Sequence, residues 1–376
     1  MIVDARVERA PLRLLYLMHI DWNWIRQRPQ ALTEELDRLD GFDVRVAYLP
    51  NWRRRRLSRN ASTVRRTPLL QLPLARLSAI HGLNARVGRI HLRMLARSWQ
   101  PDAIVLTHAW MYELPPRRLA TKPLFYDCMD LAVGFEPDPI RRQKTELTEA
   151  RLLGRVKGVF VSSSYLESFI RRQIPPGVEI TLVRNAIDGT FETLPSPPPD
   201  PDGIVRIAFF GTVAWWFDWA LMTRVLNLDH RLELHVWGPV QDAVPHLDRL
   251  YLHGVVPRHR DIPGAIRGMD ALILPFAVND LVRAIDPVKL YEYVALGLPA
   301  LSVYYPELEQ FRGLVSFYSD EDSLLALVRT LRVNPGSLRP DQDRARPFLA
   351  DATWRNRARL IAGAILGSLR EDTSVG

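Results

Sequence analysis

The sequence predicts an α/β chain of two domains, each built on a parallel sheet, and three observations carry that expectation. Short apolar runs alternate with segments of helical period along the whole of its 376 residues. The runs are continuously apolar rather than alternating, as strands covered on both faces are. A proline-rich stretch at 194–203, LPSPPPDPDG, divides the series in two, because proline continues neither a helix nor a central strand. Length agrees, since a chain of this size can bury two substantial cores.

Taken in order, the first half offers strands at 12–18, 44–48, 103–106, 124–126 and 159–161, with amphipathic segments at 28–39 and 140–153. The second half offers strands at 205–210, 232–236, 250–253, 271–274 and 300–303. A last helical segment at 354–369 carries an apolar side and arginines at 355, 357 and 359. The expected division is a first domain over 1–195, a linker over 196–203, a second domain over 204–345, and a C-terminal helix within 346–376 that returns to the first domain.

Composition narrows the function classes. Hydrophobic content of 47% and charged content of 24% are those of a soluble globular protein. The single cysteine, Cys128, excludes an internal disulfide and a Cys-rich zinc site, and fits a reducing compartment. The N-terminal stretch has acids at Asp4 and Glu8 before a short apolar run, which makes a poor signal peptide. No apolar stretch approaches the length of a membrane span, so a cytoplasmic location is expected.

The net charge of +8 is unevenly placed, with residues 51–100 holding twelve arginines and no acid. Such a block is a footprint for an anionic partner: nucleic acid, phospholipid headgroups or a pyrophosphate-bearing substrate.

In paired parallel-sheet domains, ligands bind at the carboxyl ends of strands, so the loops after strands are where chemistry is expected. After the first strand, HIDWNWIRQRPQ gathers Asp21, Trp24, Arg26, Gln27 and Arg28, and reads as a ligand wall as readily as a helix start. After the strand at 124–126 come two carboxylates, Asp127 and Asp130, suited to a general base that partial burial would tune. Asp130 is preferred because it stands further out on the loop; Asp127 and His108 are the alternatives.

In the second half Gly211, the pair Gly238-Pro239 and Asn279 all follow strands. Then comes DPVKLYEY, where Asp286 suits an N-cap, Pro287 a first helical position, and Lys289 and Glu292 lie three apart on one helix face. Taken alone, that pair also reads as an exposed ion pair.

With these residues in hand, the chain resembles glycosyltransferases of the two-Rossmann, GT-B kind. The likeness is carried by Gly211 with Trp216-Phe217-Asp218, by Gly238-Pro239, Leu274-Pro275-Phe276 and Asn279, and above all by Asp286 through Pro299. It is similar to the bacterial enzymes of exopolysaccharide and teichuronic-acid assembly, and Gln27-Arg28-Pro29 matches an element found in them.

The resemblance implies two Rossmann-like domains facing each other across a cleft, the first binding a saccharide acceptor and the second a nucleotide-sugar donor. It implies that Glu292 accepts hydrogen bonds from ribose hydroxyls and that Lys289, with its helix dipole, neutralises the diphosphate. Gly211 and Gly238 would let backbone approach the donor, and no metal or other cofactor would be required. Where retaining families carry a further glutamate, eight positions before the ribose-binding one, this chain has Ala284. An inverting reaction with Asp130 as base is therefore the expectation.

The segment 76–99 adds a basic amphipathic helix, with Arg86, Arg89, Arg93 and Arg97 along one side, next to Trp52 and Arg53 through Arg56. It suggests that the 51–100 region contacts an anionic membrane, placing the enzyme on the inner face of the cytoplasmic membrane beside a lipid-linked acceptor. A solvated surface helix is the plain alternative. Two other functions fit parts of the sequence: a nucleotide-sugar epimerase of the same fold, and a basic nucleic-acid-binding protein. No nucleic-acid-binding motif accompanies the charge, so nucleic acid is not the expected partner.

Overall fold

The computed structural model describes residues 10–24, 26–51, 62–71, 78–136, 138–189 and 193–374. The chain forms two compact units, one built from the segment up to Arg184 together with the segment from Trp354 onward, the other spanning Asn185–Thr353. The joints are therefore not where composition put them. The proline-rich stretch belongs to the second unit: Leu194 is buried, its N–H donates to Leu296 (2.9 Å), and Arg339 donates to the Leu194 carbonyl (2.6 Å) and to Ser196 (2.8 Å). Prolines lack the N–H that a sheet would need, and here they form a strap held by Arg339, by Arg206 at Asp200 and by Arg332 at Gly203.

The first unit holds strands β1 (Leu12–Met18), β2 (Phe42–Tyr48), β3 (Arg65–Pro68), β4 (Ala103–Leu106), β5 (Leu124–Cys128), β6 (Gly158–Val161) and β7 (Glu179–Leu182). They pair in parallel in the order β3-β2-β1-β4-β5-β6-β7. Every residue of β4 and β6 is buried, which is why those strands read as unbroken apolar runs. The chain's final helix, Trp354–Ser374, packs against the helix Arg28–Asp37 of this unit.

The second unit holds β8 (Val205–Phe210), β9 (Leu232–Trp237), β10 (Leu250–Gly254), β11 (Ala271–Leu274), β12 (Ala300–Val303) and β13 (Ser316–Tyr318). These are again parallel, in the order β10-β9-β8-β11-β12-β13. In each sheet the strand order reverses beside the unit's first strand, β1 between β2 and β4, β8 between β9 and β11. Loops leaving those strands on opposite sides open the crevice where ligands of such sheets bind.

Candidate functional site

In the second unit the site is set by the helix Val288–Leu296, which opens one residue later than the Asp-Pro pair suggests. Pro287 is its N-cap, and Asp286 does not cap it. The Asp286 side chain is buried and accepts from the Asn185 N–H (2.6 Å), Tyr291 Oη (3.0 Å) and Gln310 Nε2 (2.9 Å). Tyr293 in turn donates to the Ile273 carbonyl of β11 (3.0 Å), and Gly297 ends the helix at φ +70°, a left-handed position. Tyr293 thus ties the helix to the sheet, Asp286 and Tyr291 tie its start to Asn185 and Gln310, and Gly297 ends it.

Two residues of the motif remain for chemistry. The Lys289 ammonium donates to Glu292 Oε2 at 2.8 Å, and His259 Nε2 lies 2.8 Å from the other oxygen, Oε1. Glu292 is buried at 4% exposure, and burial alone would raise its carboxyl. Lys289 and His259 outweigh that burial and bring the carboxyl down to about 2. The result is a permanently ionised carboxylate held under a lysine. His259, on the short turn His259–Asp261 after β10, has no periodicity linking it to Glu292 in the sequence. It does follow a strand, the one signal that marks the other loops.

The glycines are explained by the fold as much as by any ligand. A Cβ on Gly238, at φ +140°, would stand 1.8 Å from the Gly211 carbonyl oxygen. A Cβ on Gly211, at φ +151°, would lie 3.1 Å from Lys289 Cε. The ends of β8 and β9 therefore touch backbone to backbone, with the Lys289 stem running over Gly211. Pro239 joins this contact through its carbonyl, which accepts from Val213 N–H (2.9 Å). Across the switch point, Asp218 N–H donates to Pro275 and Ala277 N–H to Trp216, both at 2.8 Å, so the β8 and β11 loops are tied together. Asn279, expected to touch the donor, spends its side-chain oxygen capping the turn Asp280–Arg283 through the Val282 N–H (2.9 Å).

In the first unit one residue of the predicted wall, Arg28, turns fully inward, while Asp21, Trp24 and Arg26 are half-buried and Gln27 is exposed. Arg28 is buried and donates to Asp127 Oδ1 (2.9 and 3.1 Å) and to the Val183 carbonyl (2.6 Å), while Tyr16 donates to Asp127 Oδ2 (2.6 Å). Asp127 is fully buried, so neither it nor Arg28 meets a ligand: they are an internal ion pair. Arg26 is paired with Glu34 at 2.8 Å. Asp21 accepts from the N–H groups of Asn23 and Asn51, Gln27 N–H donates to Gln30, and Trp24 N–H closes the turn onto Asp21. These bonds shape the loop after β1.

Asp130 differs. Its carboxylate has no hydrogen bond or ion pair among the described residues, and the residue is solvent-exposed although closely surrounded by protein. Desolvation by those surroundings raises its carboxyl to about 6, against the pull of Arg28 and with the help of Asp127. His108 caps the turn Ala109–Glu113 and sits edge-on to His19, 5.1 Å between ring centres. Burial lowers His108 to about 4 and His19, which also faces His108, to about 3, so both are neutral near pH 7.

Of the basic region, 52–61 and 72–77 lie outside the described residues, including Trp52 and Arg53 through Arg56. The helix Ser78–Ser98 presents Arg86, Arg93 and Arg97 to solvent, together with Leu83 (44% exposed), Ile90 (50%) and Met94 (62%). Arg89 instead binds the Glu113 carbonyl. Among the described residues no helix is long and apolar enough to cross a membrane, and no group of three or more His, Cys, Asp or Glu is placed to hold a metal ion.

Comparison with known structures decides the architecture. A sucrose-phosphate synthase from Thermosynechococcus elongatus superposes with a TM-score of 0.74 at 12% identity, over 96% of this chain and all of that one. The protein has the GT-B fold. The HepE protein of Anabaena, solved with UDP and glucose, matches at TM-score 0.65 and 12% identity over 94% of this chain and 99% of its own. The lipopolysaccharide outer core galactosyltransferase WaaB matches at 0.61 and 12%, over 95% and 99%. In sequence, residues 25–186 match the family model described as "Glycosyl transferase 4-like domain". TuaH of Bacillus subtilis (strain 168), named as a teichuronic acid biosynthesis glycosyltransferase, is 24% identical over 213 residues. That match takes in 50% of this chain, and the chain spans about half (52%) of the relative's length.

Proposed function

We propose that this GT-B chain is a glycosyltransferase of bacterial polysaccharide assembly that moves a sugar from a nucleoside-diphosphate sugar to a hydroxyl of a lipid-linked saccharide. One observation carries the reading: an ionised, buried Glu292 held by Lys289, beside Gly211 at the switch point of the second sheet. A fixed carboxylate is the natural acceptor for two ribose hydroxyls, and a lysine at a helix start is the natural partner of a diphosphate. The name of TuaH and the UDP and glucose in the HepE structure support the same substrate class.

In this reading the first unit supplies the base. Asp130 takes the proton of the acceptor hydroxyl, whose oxygen bonds to the anomeric carbon as the bond to the donor diphosphate breaks. The sugar leaves inverted, and the departing diphosphate's charge is met by Lys289 and the helix dipole. Ala284, buried where a second carboxylate would stand in a retaining enzyme, supports inversion. Transfer is expected to survive a chelator.

The exposed Leu83, Ile90 and Met94 among Arg86, Arg93 and Arg97 fit a helix lying on an anionic cytoplasmic leaflet, where a lipid-linked acceptor would be met. The test is a thermal-shift panel of nucleoside diphosphates and their sugars, followed by a transfer assay with the best donor and a lipid-linked saccharide. Stabilisation by one nucleotide and an inverted product are expected. Stabilisation by none would overturn the reading, and free nucleoside diphosphate and sugar released without transfer would point to the epimerase chemistry instead.

A further inference from the structure

The partnership of His259 with Glu292 goes beyond donor binding while resting on that reading of the site. Glu292 has one nitrogen partner on each oxygen, the Lys289 ammonium on Oε2 and the His259 imidazole on Oε1, both at 2.8 Å. Of the two, Lys289 is the one that lies beside the strand end at Gly211. The Lys289 ammonium sits on a flexible stem that passes over Gly211, 5.1 Å from the centre of the Phe210 ring, and is partly exposed at 27%. A diphosphate at this strand end would draw it away from the carboxylate. Glu292 would then be a buried charge short of a cation, a condition costly unless another group takes over.

We propose that His259 is that group: donor binding turns Lys289 toward the diphosphate, and His259 takes up a proton from solvent to hold Glu292 in place. His259 is a positioning residue in this scheme, keeping the carboxylate ionised and aimed at the ribose. Its side chain is 51% exposed, so a proton can reach it directly. Charged groups stand near it on two elements. Helix Val288–Leu296 contributes Glu292 and Lys289, and its own turn contributes Arg258, Arg260 and Asp261. Asp261 lies 3.6 Å from Arg258 and 3.9 Å from Arg260 and offsets part of their positive charge, while Glu292, 2.8 Å away, is the charge in direct contact with the imidazole. Freeing Glu292 and bringing in phosphate charge both favour the imidazolium, so the two effects add.

Linkage gives the readout. If binding raises the proton affinity of His259, nucleotide affinity falls as pH rises through the histidine's titration range. The experiment is calorimetry with the tightest binder among UDP, GDP, ADP, CDP and dTDP, run in HEPES and in Tris, with wild type and His259→Gln. Glutamine keeps a donor toward Oε1 but cannot titrate, and the same subtraction removes proton exchange by the nucleotide's own phosphate. The expected result is a buffer-dependent heat in wild type showing net proton uptake relative to the variant. At pH 8 the two affinities are expected to converge within a few-fold. Equal proton exchange in both proteins would overturn the proposal while leaving the donor site standing, as would an affinity loss in the variant that is the same at every pH. Failure of all five nucleotides to bind would overturn the donor reading and this proposal with it.

Discussion

Asp127 and Asp130 are three residues apart and end in opposite circumstances. Asp127, fully buried, is satisfied by Arg28 and Tyr16, and removing it would leave a guanidinium uncompensated in the interior. Asp127→Ala is therefore expected to cost about 3–5 kcal/mol in chemical denaturation, as broken buried pairs do. Asp130 is without such partners, and its carboxyl sits at about 6. A base must be deprotonated to act, so turnover is expected to fall as pH drops through about 6. Asp130→Asn should abolish transfer and leave fold and nucleotide affinity unchanged; turnover within a few-fold of wild type would remove Asp130 from the mechanism. Glu292 runs the other way. Its carboxyl is depressed, so its contribution to stability is in place above the unfolded-state value and is lost only as pH falls through about 2.

At the scale of elements, the contact between the ends of β8 and β9 makes the strongest demand on the sequence. Gly238→Ala would put a carbon 1.8 Å from a carbonyl oxygen, so the strand ends must part and the path of Lys289 over Gly211 must shift. Gly41, also at positive φ (+86°), has nothing within 4 Å of an added Cβ. Gly41→Ala should cost only the backbone term of about 1–2 kcal/mol, whereas Gly238→Ala should lower the melting temperature much further and weaken nucleotide binding. Similar losses for the two would show that the strand ends are more yielding than their geometry implies.

The same elements show what was legible beforehand. Strands buried on both faces, such as Ala103–Leu106 and Ala271–Leu274, appear in the sequence at their observed limits. The edge strand Arg65–Pro68 could not, because an exposed edge needs no apolar run. Lys289 and Glu292 were legible as a pair, but their fourth-turn neighbours gave no sign that His259 completes them. Arg28 and Asp127, 99 residues apart, look like surface charge until the sheet brings them together.

At the scale of the whole chain, composition marked a two-unit protein correctly but misplaced the joints, since the prolines serve as a strap within the second unit rather than as a hinge. The charge asymmetry has a consequence on the surface. If the helix Ser78–Ser98 lies on an anionic membrane, replacing Arg86, Arg93 and Arg97 by Glu should abolish sedimentation with phosphatidylglycerol vesicles, each arginine being worth about 1 kcal/mol there. Wild-type binding should weaken with salt, and equal recovery on neutral vesicles would count against the contact.

The claim on which the rest depends is that Glu292 and Lys289 hold the nucleotide. Calorimetry of the best-binding nucleoside diphosphate against wild type and Glu292→Gln tests it most directly. The variant is expected to fold, since its Tyr291 and Tyr293 anchors are intact, yet to lose nucleotide affinity by ten-fold or more, about 1.4 kcal/mol for each factor of ten. Unchanged affinity in the variant would contradict it.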